Sequence, residues 1–167
     1  MIRKIYIAKL LSESKNDEVL NNLGVDTVEE AETYLNSFGV SKNSVEIWGS
    51  GKPKREFLWS KDMADACVFL MENRSFSNTF IEGEKEVRNT HINIGTGKDV
   101  SIKELAEMIK ETVGFKGNLV FNTDKPDGTM RKLVDVSKLN SLGWKYKMEL
   151  VDGIQIVYDW YLNKENL

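Results

Sequence analysis

Six residues carry side chains from which a binding chemistry can be assembled: Lys4, Trp48, Arg55, Asp127, Arg131 and Lys132. Arg131 and Lys132 follow a Lys125-Pro126-Asp127-Gly128-Thr129 turn, whose main-chain amides can also cup an oxyanion. With Arg55, and with Lys4 on a first helix, they form a cation set suited to clamping a diphosphate. Trp48 offers a ring face to a nucleobase or sugar. Asp127 can accept hydrogen bonds from ribose or sugar hydroxyls. Taken singly, the same residues also fit a hairpin with solvated cations and a charged strand edge.

Other chemistries find less support. His91 opens an apolar run with no neighbouring Ser or Cys, so it reads as a structural or surface histidine. With one cysteine, Cys67, and one histidine, a structural zinc site has no ligand set and no internal disulfide forms. Cys67 lies in Ala66-Cys67-Val68-Phe69 and is expected to be a buried structural thiol. No Tyr-x-x-x-Lys pair is present, because Leu10 follows Tyr6 and Leu162 follows Tyr158 at that spacing. Gly95-x-Gly97 superficially matches a dinucleotide turn, but the third glycine of that pattern would fall at Val100. No catalytic residue, cofactor-binding residue or metal ligand is assigned.

The elements that position these residues are α and β in alternation. Residues 1–11 have helical spacing of Ile2, Ile5, Ile7, Leu10 and Leu11, and the pattern begins without a capping residue, as in a piece of something longer. Residues 12–44 are acidic; Thr27 and Glu30 form a capping-box pattern before a helix ending at Gly39. Val45-Glu46-Ile47-Trp48 reads as a strand, the Gly49-Ser50-Gly51-Lys52-Pro53 cluster turns the chain, and an extended segment resumes at Arg55. The glycines there would let a ligand approach the main chain closely.

Ser60 is expected to cap a helix to Met71 with Met63, Ala66, Cys67 and Leu70 facing inward. Glu72 to Arg88 reads as a polar connection, and His91-Ile92-Asn93-Ile94 as a short buried strand. Ser101 and Glu104 make a capping box opening a helix closed by Gly114. Asn118–Phe121 reads as a strand and Met130 to Asp135 as extended. Ser137 is expected to cap a short helix ending at Gly143, and residues 149–163 form an amphipathic helix with Ile154, Val157, Tyr158 and Tyr161 on its apolar side. The class is α/β or α+β.

At 167 residues, 41% hydrophobic and 29% charged, the chain suits one globular domain with a real core. A net charge of −3 recruits no nucleic acid, so any anion site is local. Apolar runs are too short for a membrane helix, and Arg3, Lys4 and Lys9 interrupt any signal-peptide pattern; a cytoplasmic protein is expected.

Trp48-Gly49-Ser50-Gly51-x-Pro53-x-Arg55-Glu56-Phe57-Leu58, Asp62-Met63-Ala64, Asn93-Ile94-Gly95-Thr96-Gly97 and Ser101-Ile102-x-Glu104-Leu105-Ala106 occur in that order. Lys125-Pro126-Asp127-Gly128-Thr129-x-Arg131-Lys132, Asp135-Val136-Ser137-Lys138-Leu139 and Leu142-Gly143-Trp144 follow. Together they resemble the C-terminal half of extended short-chain dehydrogenase/reductases acting on nucleotide sugars, and among these the GDP-L-fucose synthase family. The resemblance covers residues 1–11 and 45–163 and leaves 12–44 as a helical acidic insertion.

The resemblance implies that residues 1–167 form an α/β substrate-binding domain with the Rossmann half absent. Lys4 matches a basic substrate-binding position; Trp48, Arg55 and Lys132 match positions that hold GDP, with Arg131 and Asp127 as neighbours. The family carries out 3,5-epimerisation and NADPH-dependent 4-reduction of GDP-4-keto-6-deoxy-D-mannose. NADPH is therefore expected for a full-length enzyme, with none bound by this chain, which is expected to be inactive alone. The implied partners are a GDP-sugar and the missing Rossmann half, in cis or in trans, with self-association through an exposed apolar face. The alternatives are a stand-alone nucleotide-sugar-binding module, half of a split enzyme, or another nucleotide-sugar epimerase or dehydratase.

Overall fold

A computed structural model describes residues 1–80, 83 and 86–165. The connection read from Glu72 to Arg88 includes residues 81, 82, 84 and 85, which lie outside the described residues. In chain order the elements are α1 (Ile2–Ser12), α2 (Asn16–Leu23), α3 (Val28–Ser37), β1 (Ser44–Trp48), β2 (Lys54–Glu56) and α4 (Ser60–Asn73). A single 3-10 turn at Phe76–Thr79 precedes β3 (Asp99–Ser101), α5 (Ile102–Val113), β4 (Asn118–Asn122), β5 (Arg131–Lys132), α6 (Ser137–Ser141) and α7 (Leu150–Glu165). The fold is α/β. It divides into two compact units, residues 1–54 with 101–130 and 154–167, and residues 55–100 with 131–153.

The first unit is built on a parallel pair. β1 and β4 run side by side in a register that sets Val45 opposite Leu119 and Trp48 opposite Asn122. β1 alternates as strand pairing requires: Val45 and Ile47 are buried while Trp48 is exposed. Ile5, Ile7, Ala8 and Leu10 of α1 and Leu105, Ala106, Ile109 and Val113 of α5 supply nearly half of the core, joined by Ile154 and Tyr158 of α7. Fully burying a side chain such as Ile5 or Leu10 is worth about 1.5–3 kcal/mol. Lys9 of α1 donates to the Val113 carbonyl at 2.9 Å, satisfying one of the orphan acceptors at the end of α5.

Local signals explain the helix ends. The Thr27 hydroxyl accepts from the Glu30 amide, and α2 closes on Gly24 in the left-handed region. At α5 both arms of the Ser101–Glu104 box are made, and Gly114 closes the helix with φ +79°. Val19, Ala31 and Leu35 anchor α2 and α3 to the core.

The second unit has a smaller core of Ala66, Leu139 and Trp144, against which Leu58, Phe69, Leu70, Ile92, Ile94 and Tyr146 pack. Asp62 is buried in it and accepts from the amides of Lys147 and Met148 at 3.0 and 2.9 Å, so its carboxylate is satisfied by main chain. Trp144 Nε1 donates to Asp65 at 2.8 Å, which holds that carboxyl below the usual carboxylate range together with Lys147. β2 is the central strand of a three-stranded sheet of order β3-β2-β5.

Several expectations are corrected. Cys67 is exposed, because α4 turns Asp62, Ala66, Phe69 and Leu70 inward and leaves Ala64, Cys67, Val68 and Met71 as a second, outward stripe. Met63 is exposed for the same reason. His91–Ile94 forms no strand: Ile92 and Ile94 pack on the core, but no described strand runs beside them to make a ladder. Within the stretch read as extended from Met130 to Asp135, Arg131 and Lys132 form β5 and the Met130 carbonyl accepts from the Lys54 amide at 2.7 Å. Ser137 is the first residue of α6; the Asp135 carboxylate accepts its amide at 2.8 Å and does the capping. Val157 of α7 lies outward.

Candidate functional site

The six candidate residues fall into two groups, one on each unit. Lys4, Trp48 and Asp127 belong to the first; Arg55, Arg131 and Lys132 belong to the second.

On the first unit, β1 delivers Trp48 to the head of the Gly49–Pro53 turn, 66% exposed. The Lys125 ammonium stands 5.3 Å from its ring centroid, a cation–π contact. Asp127 joins two turns: its carboxylate accepts from the Ser50 amide at 2.8 Å and from the Ser50 hydroxyl at 2.6 Å. Those bonds, with the Lys52 charge nearby, hold its carboxyl below the usual range. Asp127 therefore engages both carboxylate oxygens with Ser50, one through its amide and one through its hydroxyl.

The glycines answer to the same packing. Gly49 has φ +82°, and a Cβ there would fall on the Asp127 carboxylate; Gly51 has φ +73°, and a Cβ there would meet Phe121 and Lys103. Close approach by neighbouring protein, rather than by ligand, is the local reason for both. The carbonyls of Gly51 and Pro53 accept from Lys103 and Ile102, so the first amides of α5 are satisfied by this turn. Lys4 Nζ donates to the Glu46 carbonyl at 2.5 Å, and burial pulls its pKa down.

On the second unit, Arg55 lies on central strand β2 and Lys132 on neighbouring β5. Arg131 pairs with Asp99 of β3 at 2.5 Å, and the Asp99 side chain is only 8% exposed. Beside Arg55, Glu56 turns its carboxylate into the Gly95-Thr96-Gly97 turn. Oε1 accepts from the amides of Thr96 and Gly97, both at 2.6 Å, and Oε2 accepts from Val134 at 3.2 Å. The turn that superficially matches a dinucleotide fingerprint thus has its amides filled by an internal carboxylate and does not fit a pyrophosphate.

Lys125, Ser50, Glu56 and Asp99 were not singled out from sequence. A carboxylate next to Arg55 on a three-residue strand must face the opposite side of the sheet, a signal that Glu56 needs internal partners. Ser50, small and polar between two glycines, signals a turn with a side-chain bond. Nothing in the sequence marks Asp99 or the seat of Lys125 on Trp48. Among the described residues no group of three His, Cys, Asp or Glu side chains could hold a metal ion, and no helix is long and apolar enough to cross a membrane.

Comparison with known proteins extends this geometry. The putative GDP-L-fucose synthase 2 of Arabidopsis thaliana is 54% identical over 120 residues, 72% of this chain and 33% of its own length. A GDP-D-glycero-L-gluco-heptose synthase from Campylobacter jejuni, solved in the presence of NADPH, superposes with a TM-score of 0.88 at 51% identity, covering 97% of this chain and 45% of its own. A GDP-mannoheptose C4 reductase from the same organism, with NADP bound, gives 0.87 and 52% over 96% of this chain and 45% of its own. The chain thus spans about a third of the length of that curated relative and under half of those solved chains. The family model described as "NAD dependent epimerase/dehydratase family" matches residues 7–95, more than half of the chain, and the chain belongs to that family.

Proposed function

We propose that this chain is the GDP-sugar-binding portion of a GDP-L-fucose-synthase-like enzyme, one that epimerises and reduces a GDP-4-keto sugar with NADPH. The observation that carries the reading is the pair of cations Arg55 and Lys132 on adjacent strands β2 and β5. They supply two positive heads for a diphosphate. On the other unit, Trp48 with Lys125 over its ring offers a separate aromatic face with its own cation. Arg131, tied to Asp99, braces the sheet, and Asp127, tied to Ser50, fixes the turn that presents Trp48. Lys4 steadies β1 through the Glu46 carbonyl and lends its charge to the same unit.

Hydride transfer requires a nicotinamide and a proton donor placed together. In this reading both come from the remaining length of the relatives, and the isolated chain is a binding half without turnover. The outward stripe Ala64, Cys67, Val68 and Met71 of α4 is the surface that the remaining half covers, in cis or in trans.

Calorimetric titration with GDP, with UDP and GMP as controls, tests this. GDP binding that weakens about tenfold in Arg55→Ala and in Lys132→Ala is expected, in line with loss of a charge-assisted hydrogen bond. Equal affinity for UDP overturns the guanine preference, and equal affinity for GMP, or no effect of either substitution, overturns the clamp. NADPH-dependent reduction of a GDP-4-keto sugar by the pure chain overturns the binding-half assignment.

A second reading concerns the sugar. Relatives with heptose in their names align over 96–97% of this chain, whereas the fucose synthase from Arabidopsis aligns over 72%. The longer alignments span residues 12–44, the stretch proposed as an insertion in the fucose-synthase frame. This favours a GDP-heptose substrate. Comparing turnover of GDP-4-keto heptose and hexose by a full-length enzyme carrying this segment separates the two.

A further inference from the structure

We infer that Glu56 is a positioning residue for Arg55 and Lys132, acting as a fixed internal anion that locks the two cation-bearing strands together. The inference rests on the GDP-sugar reading for its ligand and goes beyond it in naming what holds the clamp in shape.

Glu56 directly follows Arg55 on β2, so the backbone that presents Arg55 on one side of the sheet presents Glu56 on the other. Its Oε1 is seated on two consecutive amides, Thr96 and Gly97, each at 2.6 Å, with the Thr96 hydroxyl at 3.2 Å. Successive amides pointing at one oxygen make an anion nest, and here the occupant is part of the chain. Gly95 closes the fit: a Cβ at that position would meet both the Glu56 carboxylate and Val134 Cγ2. Gly97, with φ +71°, allows the turn its left-handed step.

The second oxygen does different work. Oε2 accepts from Val134, two residues beyond Lys132 on the chain leaving β5. One carboxylate therefore ties three segments: β2 beneath Arg55, the Gly95–Gly97 turn, and the continuation of β5. Hydrogen bonds to an ionised acceptor are about twice as strong as neutral ones. A two-residue strand such as β5 has few ladder bonds of its own, so this strap fixes where Lys132 stands relative to Arg55.

The two oxygens can be separated by substitution. Glu56→Gln keeps a carbonyl oxygen for Thr96 and Gly97 but turns an NH2 group towards the Val134 amide, donor against donor. Glu56→Ala empties the nest. The experiment measures GDP affinity for wild type, Glu56→Gln, Lys132→Ala and the double variant, together with the backbone amide resonances of Arg55 and Lys132. Glu56→Gln is expected to lower GDP affinity about tenfold and to shift the Lys132 amide. The double variant should bind no more weakly than Lys132→Ala alone, because Glu56→Gln acts by displacing Lys132 and residues coupled in this way are not additive. In Glu56→Ala, added acetate should refill the nest and return the Arg55 and Lys132 amides towards their wild-type positions.

Wild-type GDP affinity in Glu56→Gln, or strict additivity with Lys132→Ala, overturns the inference. If wild type itself binds no GDP, the GDP-sugar reading of this chain fails. The amide resonances then decide the positioning role by themselves: unmoved Arg55 and Lys132 signals in Glu56→Gln sink it, and shifted signals restored by acetate in Glu56→Ala sustain it. Should Glu56→Ala not fold, Glu56→Gln carries the same resonance test.

Discussion

Asp127 and Ser50, far apart in sequence, are joined by two short hydrogen bonds, 2.8 Å from the Ser50 amide and 2.6 Å from its hydroxyl. The link fastens the Lys125–Thr129 turn to the Gly49–Pro53 turn, and thereby sets Lys125 over the Trp48 ring. The folded-state pKa of Asp127 lies below its ordinary value. A depressed carboxyl contributes stability that is present above the unfolded value and is lost as pH falls through the folded one. Urea midpoints measured at pH 5 and at successively lower pH, below the ordinary carboxyl value of about 3.9, should fall. Asp127→Asn should show a shallower fall, and an identical profile for both proteins would refute the link.

The left-handed glycines of this region give a backbone test. Gly49→Ala forces a Cβ onto the Asp127 carboxylate at a φ of +82°. It is expected to cost about 1–3 kcal/mol, combining left-handed strain with displacement of the carboxylate. Gly24→Ala, at φ +71° with nothing near its Cβ, should cost only the strain, about 1 kcal/mol. Equal destabilisation in chemical denaturation would contradict the close approach at Gly49.

Tyr6 is packed edge-on against Tyr158 and Tyr161, with centroids at 5.9 and 5.6 Å. Burial, then the nearby Glu18 charge, pushes its pKa up to about 12. Between the ordinary value near 10 and 12 the folded state keeps a proton that the unfolded state has released, so stability must fall as pH rises through that window. Tyr158, raised by burial as well, contributes in the same direction. Tyr6→Phe should flatten the fall. An ultraviolet titration of the folded chain that finds every tyrosine ionising near the ordinary value would contradict this.

The outer stripe of α4 predicts behaviour in solution. Val68 is 46% and Met71 76% exposed, beside an exposed Cys67. Apolar surface arranged as one helix stripe favours association of copies of the chain. Sedimentation should show concentration-dependent association that Met71→Lys weakens with little change in the unfolding midpoint. Cys67 should react readily with thiol reagents in dilute solution, and more slowly as the protein concentration rises. A chain that stays monomeric at high concentration would refute this.

Periodicity and caps made much of the first unit legible. Ser101 with Glu104, Thr27 with Glu30, Gly114, and the β1 and β4 runs all carry their signals within a few residues. The errors cluster where a helix has two apolar stripes or where a partner comes from far along the chain. On α4, Ala66 with Leu70 and Cys67 with Met71 have equivalent spacing, so sequence could not say which pair faces inward. Ile92 and Ile94 announce burial correctly, but a strand also needs a neighbour, and periodicity does not reveal one. Candidate binding residues were legible as types and as ordered motifs. Their engagements were not, because Asp127 with Ser50, Arg131 with Asp99 and Glu56 with Thr96 all join residues separated by thirty or more positions.

The parallel pairing of Ser44 with Asn118 has a consequence for how the molecule is made. Neighbouring parallel strands cannot be closed by a tight hairpin, and here the whole of α4, the second unit's connection and α5 must be synthesised between them. As the chain leaves the ribosome, Val45 has its local bridge to Val40, but the β4 side of β1 stays unpaired until Leu119 and Phe121 emerge, and α7 comes later still. Non-local closure of this kind raises contact order and slows folding. The apolar edge of β1 is therefore uncovered for a long interval during translation, which makes it a natural holding point for a chaperone and a risk for premature pairing between nascent chains.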